Sequence, residues 1–455
     1  MAIDGFEVAT SRGKSSVLAN TFVIGGLTIV AKLAGAAKTV VSARYFGPGN
    51  ELDAYLLAFL VPSFFADVLS GALNPALVPV LIEAFENGGR DGVRPVYADA
   101  LYRSFAALGG LAILLVACAF SIDPAIVGIH LAKLNLARRM LLIMAPILPL
   151  SAVANVWRSV LNAEMRFSAA AFSPALTPLT AVVFLYLANR WGILVLAWGS
   201  TVGTLAEVIV LALALRRARM PILPRWTRGL GTTRAAGRQY GALVASSLAT
   251  RGSTLVDQTV AAMIGNGSVS ILNFGTRLTA VLLTIGPAAL STAILPHFSR
   301  MNTRMNARMK TDGLQTKLKR ELVTVAAAGA VVMSALIAVL IWYSEPIVRI
   351  AFQRGAFTAA DAHRVALVQS CSLLQAPFAV GLMVFSRFVT SIKANSTLLW
   401  ISLAGLGLNS VLDYLLMMRS GVAGIAFSAS VAQAFMQATI VLVVFRRMRT
   451  TAVSD

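Results

Sequence analysis

Charged residues are scarce in this chain, and acidic residues are the scarcest of them. Only 13% of the 455 residues are charged, and Asp and Glu together number 19. A soluble domain carries about 25% charged residues, so this composition excludes an ordinary soluble protein. The acids are also unevenly spread, because none occurs between Glu7 and Glu51.

Cysteine and histidine are too few and too scattered for a disulfide framework or a metal centre. Cys118 and Cys371 lie far apart in apolar runs, and the three histidines are isolated from one another. No H-E-x-x-H, P-loop or G-x-G-x-x-G motif occurs. We therefore predict a protein that is not an enzyme and has no cofactor, no metal site and no ATP site.

What the chain has in abundance is apolar sequence. Hydrophobic residues make up 57% of it, and the mean hydropathy is +0.77. The apolar runs are continuous rather than alternating, which favours helices long enough to cross a bilayer in about 20 residues. We predict an all-α polytopic membrane protein. About twelve spans are expected, with cores at 17–46, 52–84, 98–121, 137–161, 169–188, 193–215, 240–263, 271–299, 322–342, 362–388, 397–417 and 422–445.

The excess of basic residues, a formal net charge of +20, is concentrated in alternate connections between these spans. The segments after spans 6 and 8 and the C-terminal tail are rich in Lys and Arg, whereas those after spans 5, 7 and 11 are poor. By the positive-inside rule, both termini are expected in the cytoplasm. The basic clusters are interpreted as topology signals that meet anionic lipid headgroups, and not as a nucleic-acid site.

Two halves of the chain resemble each other. Gly-Pro-Gly (47–49) precedes an apolar run ending in Ala-Leu-Val-Pro (76–79), and Gly-Asn-Gly (265–267) precedes one ending in Ala-Ile-Leu-Pro (293–296). A same-orientation repeat of two six-helix lobes is a common transporter plan. The predicted organisation is a cytoplasmic segment at 1–16, an N-lobe at 17–215, a basic linker at 216–239, a C-lobe at 240–445 and a cytoplasmic tail at 446–455.

Two lysines, Lys32 and Lys38, lie inside the first apolar run. A lysine near the bilayer centre costs about 2.5–3.5 kcal/mol on insertion scales, so this pair is expected to be used. On an ideal helix the two side chains point about 120° apart, which lets them share one broad face. The expected use is to hold an anion within the membrane.

Other ionisable residues also fall within or at the ends of spans. They are the cations Arg251 and Arg277 and the acids Asp53, Asp67, Glu207 and Asp257. Two interpretations are open: the charges pair across helices and hold the bundle together, or the cations line a positive cavity that binds a phosphate or pyrophosphate group. In the second interpretation, Asp53, Asp67 and Asp257 support the site or couple transport to an ion.

The run from residue 32 to residue 81, KLAGAAKTVVSARYFGPGNELDAYLLAFLVPSFFADVLSGALNPALVPVL, resembles the opening motif of the MurJ/MviN family of lipid II flippases in the MOP exporter superfamily. The resemblance implies a MurJ/MATE-like fold. It also implies that Lys32 and Lys38 stand where the family has two first-span arginines. Arg277 matches its eighth-span arginine, and Asp53 matches the acid that opens span 2.

The resemblance further implies a flippase that carries a polyprenyl-pyrophosphate-linked glycan precursor, such as lipid II, to the outer leaflet by alternating access. A bacterial inner membrane location follows, with a role in peptidoglycan synthesis. Both a monomer and an association with cell-envelope synthesis proteins are compatible with it. Because lysines replace the two arginines, a flippase for exopolysaccharide or O-antigen units is an alternative, and a multidrug or cation antiporter of the MATE type is another.

Overall fold

The computed structural model describes residues 4–121, 131–222, 232–283, 312–391 and 395–453. These residues are almost all helical, and no strand occurs among them. The first half holds α1 (Asp4–Phe46), α2 (Asn50–Ser121), α3 (Leu131–Met144), α4 (Ile147–Ala163), α5 (Phe167–Phe172), α6 (Leu176–Leu187) and α7 (Leu194–Arg217). The second holds α8 (Thr232–Ile264), α9 (Ser268–Gly275), α10 (Asp312–Trp342), α11 (Ser344–Phe352), α12 (Ala359–Leu373), α13 (Ala376–Ser391) and α14 (Asn395–Val453).

The chain divides into two compact units. The first consists of residues 1–42 and 54–247, and the second of residues 43–53 and 248–455. The short segment 43–53, which joins α1 to α2, therefore belongs to the second unit. We call this segment the elbow.

Two glycines split the longest helices. Gly89 in α2 and Gly421 in α14 have φ of 56° and 58° with non-helical ψ, a conformation that favours glycine. Around each turn, backbone atoms of residues eight positions apart lie close together. A Cβ added at Gly92, for example, would lie 2.8 Å from the Ala84 carbonyl oxygen. The chain thus reverses direction there, and each long helix is a hairpin of two antiparallel segments.

The first unit buries its own apolar core. Side chains from both arms of α2 pack with α4 and α7, and they include Leu81, Val93, Leu101, Val160 and Leu211. Helices α6 and α7 approach closely through Gly199 and Gly203, where an added Cβ would lie within 2.7 Å of the Ala181 and Thr177 Cα atoms. Small residues at this four-residue spacing are how membrane helices bring their backbones together.

The second unit has separate cores along α10, α12, α13 and α14, with Val384, Phe385 and Ile440 among the buried side chains. It also holds the elbow by close backbone contact. The Ala356 N–H donates to the Arg44 carbonyl oxygen at 2.9 Å. Gly47, at φ 58°, leaves no room for a side chain, because a Cβ there would lie 2.5 Å from the Ala356 carbonyl oxygen.

The all-α polytopic membrane class predicted from the sequence is confirmed. Within the described ranges, eight helical stretches are long and apolar enough to cross a membrane, and the two hairpin helices each count once among them. The number of spans and the domain boundaries stay predictions. The end of predicted span 8 (284–299), much of the basic segment after it (300–311) and part of the basic linker (223–231) lie outside the described residues.

Candidate functional site

Lys38 lies in the first unit where α1, α2 and α7 meet. Its ammonium Nζ donates to the Tyr55 hydroxyl at 2.7 Å and to the Ser200 Oγ at 3.3 Å. The two hydroxyls are also hydrogen-bonded to each other at 3.0 Å. Tyr55 and Ser200 are buried, at 2% and 0% exposed, whereas Lys38 is half-buried. We call these three residues together with Phe59 the ammonium cluster.

Aromatic rings complete the surroundings of this ammonium. Nζ lies 4.9 Å from the centroid of the Phe59 ring, within the range of cation–π attraction. Its hydrogen bond to the Tyr55 hydroxyl places it beside the edge of the Tyr55 ring, 5.2 Å from the centroid. No carboxylate of the described chain forms a salt bridge with Lys38. The partners are all neutral, so the positive charge is solvated by dipoles and rings but is not cancelled. Such a charge can attract an anion.

The other predicted cations are exposed in their own units. Lys32 is exposed on α1, six residues before Lys38. Arg251 is exposed on α8, and Arg277 is exposed on the helical stretch Ser268–Leu283; both make further interactions. Within the first unit Lys32 does not share the hydrogen bonds of Lys38. The role of these three cations in anion binding stays a prediction.

Two of the predicted acids have different surroundings. Asp67 is exposed on α2 and interacts with other groups. Asp53, in the elbow, is fully buried and accepts three hydrogen bonds at the start of α9: from the Gly267 N–H at 2.7 Å, the Ser270 N–H at 2.9 Å and the Ser270 hydroxyl at 2.5 Å. The carboxylate therefore caps the helix from outside it and satisfies amides that would otherwise be unpaired.

We expect Asp53→Ala to destabilise the protein strongly. The substitution leaves two backbone N–H groups buried without acceptors, and each such loss costs about 1–3 kcal/mol. Chemical unfolding of the purified protein in detergent should show a free energy of unfolding lower by about 2 kcal/mol or more. The matched control is Glu51→Ala in the same helical turn, where the side chain is exposed and little change is expected. Equal stability of the two variants would contradict the capping role.

Asp257 is brought together with a second acid that the sequence reasoning did not single out. In the second unit, the Asn409 side-chain amide donates to the Asp257 Oδ1 at 2.7 Å and to the Asp413 Oδ2 at 2.9 Å. The Ser428 hydroxyl also lies against Asp413. Asp413 is 0% exposed and Asn409 is 2% exposed. We call these four residues the carboxylate cluster.

Asn409 joins the two acids of the carboxylate cluster through its amide group. The Asn409 Oδ1 is buried and has no hydrogen-bond donor, although its own amide group is fully used. Two neighbouring carboxylates in a low-dielectric interior require positive charge between them. A shared proton or a monovalent cation satisfies that need, and a cation would also use the Asn409 oxygen. Larger metal-binding groups of three or more His, Cys, Asp or Glu do not occur in the described part of the chain.

Some residues of these clusters were not predicted from the sequence. Asp413 and Asn409 could have been found, because an acid and an amide four residues apart inside an apolar span share one helix face. Tyr55 and Ser200 give no such signal, since hydroxyl side chains are common in membrane helices. A further intramembrane cation, Arg158 in α4, forms a salt bridge with Glu207 at 3.3 Å.

That salt bridge serves the first unit as a structural contact. Glu207 is buried and also accepts a hydrogen bond from the Ser173 hydroxyl at 3.2 Å. The salt bridge between Arg158 and Glu207 shows that some charged residues of the predicted spans pair with each other across helices. Lys38 differs from Arg158 because its partners are neutral.

Glu345 and Arg349 lie on α11, outside the predicted spans, and form a surface cluster with His363 of α12. The hydrogen bond between Glu345 and His363, 3.2 Å long, holds the pKa of the Glu345 carboxyl below its usual range, and Arg349 adds to the effect. The contacts therefore favour the folded state above the ordinary pKa of a glutamate and are lost as the pH falls through the lowered value. All three side chains are substantially exposed, so the contribution to stability is small.

Comparison with known proteins places the chain among transporters. A protein-family model described as "Lipid II flippase MurJ" matches residues 42–454. The lipid II flippase MurJ of Burkholderia cenocepacia is 28% identical over 358 residues, which cover 76% of this chain and 67% of that protein.

Solved structures show the same fold. A lipid II flippase MurJ in an inward closed conformation aligns with a TM-score of 0.74 at 21% identity, over 93% of this chain and 87% of that one. An inward-facing multidrug resistance MATE family transporter of the MOP superfamily aligns with a TM-score of 0.72 at 13% identity, over 95% and 99% of the two chains. The MurJ/MATE-like architecture expected from the sequence is confirmed.

Proposed function

The chain belongs to the MurJ family of lipid II flippases, and from this membership we propose that it moves a polyprenyl-pyrophosphate-linked glycan precursor, lipid II or a close relative, from the inner to the outer leaflet. The headgroup enters a site that contains cations, the two lobes alternate in access, and the prenyl tail stays in lipid. The proposed role is cell-envelope synthesis in a bacterial inner membrane, with both termini in the cytoplasm.

The observation that carries this proposal is the uncancelled charge of Lys38. Its ammonium is held by two hydroxyls and lies beside the Phe59 ring, with no acidic partner among the described residues. A structural lysine inside a membrane would be expected to have a carboxylate, as Arg158 has Glu207. A phosphoryl oxygen is a ligand that balances such a charge. Lys32, Arg251 and Arg277 are proposed as further cations for the same headgroup.

The carboxylate cluster supports a coupling role for Asp257. Because two adjacent carboxylates need one positive charge, binding and release of a proton or monovalent cation would change the charge of the second unit. A charge that crosses the membrane gains about 2.3 kcal/mol per 100 mV. Ion movement at Asp257 and Asp413 is therefore our proposed energy source for the transport cycle. Asp53 is less suited to it, because its carboxylate caps α9, and Asp67 stays a further candidate.

Two alternatives use the same fold. A flippase for exopolysaccharide or O-antigen units would need the same phosphoryl contact at Lys38, so the site favours neither glycan. A multidrug antiporter for cationic compounds would need an acidic binding surface. The ammonium cluster has the opposite charge, and this favours an anionic substrate.

The test is reconstitution of the full chain into proteoliposomes with fluorescent lipid II on one leaflet. We expect the protein to translocate lipid II, and expect Lys32→Ala and Arg277→Ala each to reduce the rate with near-normal membrane insertion. Arg419→Ala, an exposed cation at the α14 turn, is the control. Translocation of a polyprenyl-linked O-antigen unit in place of lipid II would select the alternative glycan. Full activity of both cavity variants would end the proposal that these cations bind the headgroup.

A further inference from the structure

The ammonium cluster fixes the position of Lys38 closely. An ammonium has three N–H donors, and Lys38 directs two of them to the Tyr55 and Ser200 hydroxyls. The two hydroxyls also bond to each other, so the three polar atoms form a closed triangle. One N–H remains for a ligand. Lys38 as a residue is half-buried.

The walls of the cluster leave little room for a larger group. The Tyr55 and Phe59 rings are stacked, with centroids 5.8 Å apart and planes 11° apart, and both lie beside Nζ. Tyr55 and Ser200 are almost completely buried, so neither can move without disturbing packed neighbours. A guanidinium is planar, carries five donors in a fixed fork and needs more space than an ammonium.

We infer that Tyr55 and Ser200 are positioning residues that make this a site for a compact ammonium, which contacts a single phosphoryl oxygen of the ligand. The inference rests on the proposed function, because it takes the ligand of Lys38 to be a phosphoryl group. Tyr55 holds the ammonium by its hydroxyl, and Ser200 closes the triangle from α7. Arginine at position 38 is excluded by the Tyr55 hydroxyl and not by charge.

This assignment makes an unusual prediction for a conservative substitution. Lys38→Arg keeps the charge but overpacks the cluster, and overpacking of a close-packed site is destabilising. Removing one oxygen with Tyr55→Phe makes the space that the guanidinium needs. The double variant Lys38→Arg/Tyr55→Phe should therefore perform better than Lys38→Arg alone. If the Tyr55 hydroxyl does not limit the space at position 38, no such rescue is expected.

The experiment measures binding of inorganic pyrophosphate to the purified full chain by calorimetry, beside lipid II translocation in proteoliposomes. We expect Lys38→Ala to lose binding and Lys38→Arg to bind at least about tenfold more weakly than the wild type. The double variant is expected to return to within about threefold of the wild type. Tyr414→Phe, which removes an exposed hydroxyl in the second unit, is the matched control and should change nothing.

The outcomes separate this inference from the proposed function. Wild-type affinity in Lys38→Arg, or no gain in the double variant, overturns the compact-ammonium site and leaves the flippase proposal intact. If Lys38→Arg fails to fold, recovery of folding and binding by Tyr55→Phe or by Ser200→Ala supports the inference, and failure of both overturns it. Equal pyrophosphate binding by the wild type and Lys38→Ala overturns the site itself. If the wild type and the variants bind pyrophosphate as expected but the wild type does not translocate lipid II, only the proposed substrate is refuted.

Discussion

Lys38→Ala should abolish lipid II translocation without impairing insertion of the protein into the membrane. The ammonium is the only charge in a cluster of neutral partners, and a hydrogen bond to a charged group contributes about 1.5–3 kcal/mol. That loss corresponds to about a 10- to 100-fold weaker contact with the headgroup. Initial rates of fluorescent lipid II translocation in proteoliposomes, at equal protein density, provide the measurement.

Insertion offers the control that separates function from folding. Removing a lysine from an apolar span lowers the cost of insertion by about 2.5–3.5 kcal/mol, so poor insertion cannot explain a loss of transport. The Tyr55 and Ser200 hydroxyls stay satisfied in the variant, because they already bond to each other at 3.0 Å. Arg419→Ala removes an exposed cation elsewhere and should transport normally. Wild-type rates for Lys38→Ala would contradict an anion-binding role.

Asp257→Asn should remove the dependence of transport on an ion gradient and lower the rate by at least about tenfold. Asparagine keeps the shape of the side chain but is always neutral, so the carboxylate cluster no longer needs a proton or cation to balance it. The measurement is the initial rate of translocation in proteoliposomes with an imposed pH gradient, an imposed Na⁺ gradient, or neither. The gradient that accelerates the wild type identifies the coupling ion.

Asp413→Asn provides an internal check on this result. Asp257 and Asp413 together need one positive charge. The double variant Asp257→Asn/Asp413→Asn should therefore translocate lipid II no more slowly than either single variant. Asp91→Asn, an exposed acid paired with Arg94 on the surface, is the control and should keep both the rate and the gradient response. Gradient-dependent transport that persists in Asp257→Asn would refute the coupling role of the cluster.

The sequence alone could identify the intramembrane charges but not their roles. Lys32 and Lys38 look equivalent in the apolar run, yet only Lys38 contacts Tyr55 and Ser200 in the folded first unit. The Ser200 contact joins residues 162 positions apart. No local property of the sequence encodes it, because it depends on how α1 and α7 pack.

The roles of the acids likewise cannot be assigned from the sequence alone. Asp53 and Asp257 are both single carboxylates in apolar surroundings, and the sequence offers each as a candidate for ion coupling. In the structure, Asp53 is occupied by amides more than 200 residues away, whereas Asp257 faces a second carboxylate through Asn409. One became a helix cap and the other a candidate coupling site, and only tertiary contacts distinguish them.

Apolar runs and the opening motif are enough to predict a helical membrane protein of the MurJ type. Backbone groups in lipid must be satisfied within each span, so a long apolar run has to be a helix whatever surrounds it. Which charges have a partner of opposite sign, and which have only neutral partners, depends on helix packing. The energy of a buried charge depends on the groups within a few ångströms of it, and in this fold those groups come from distant helices.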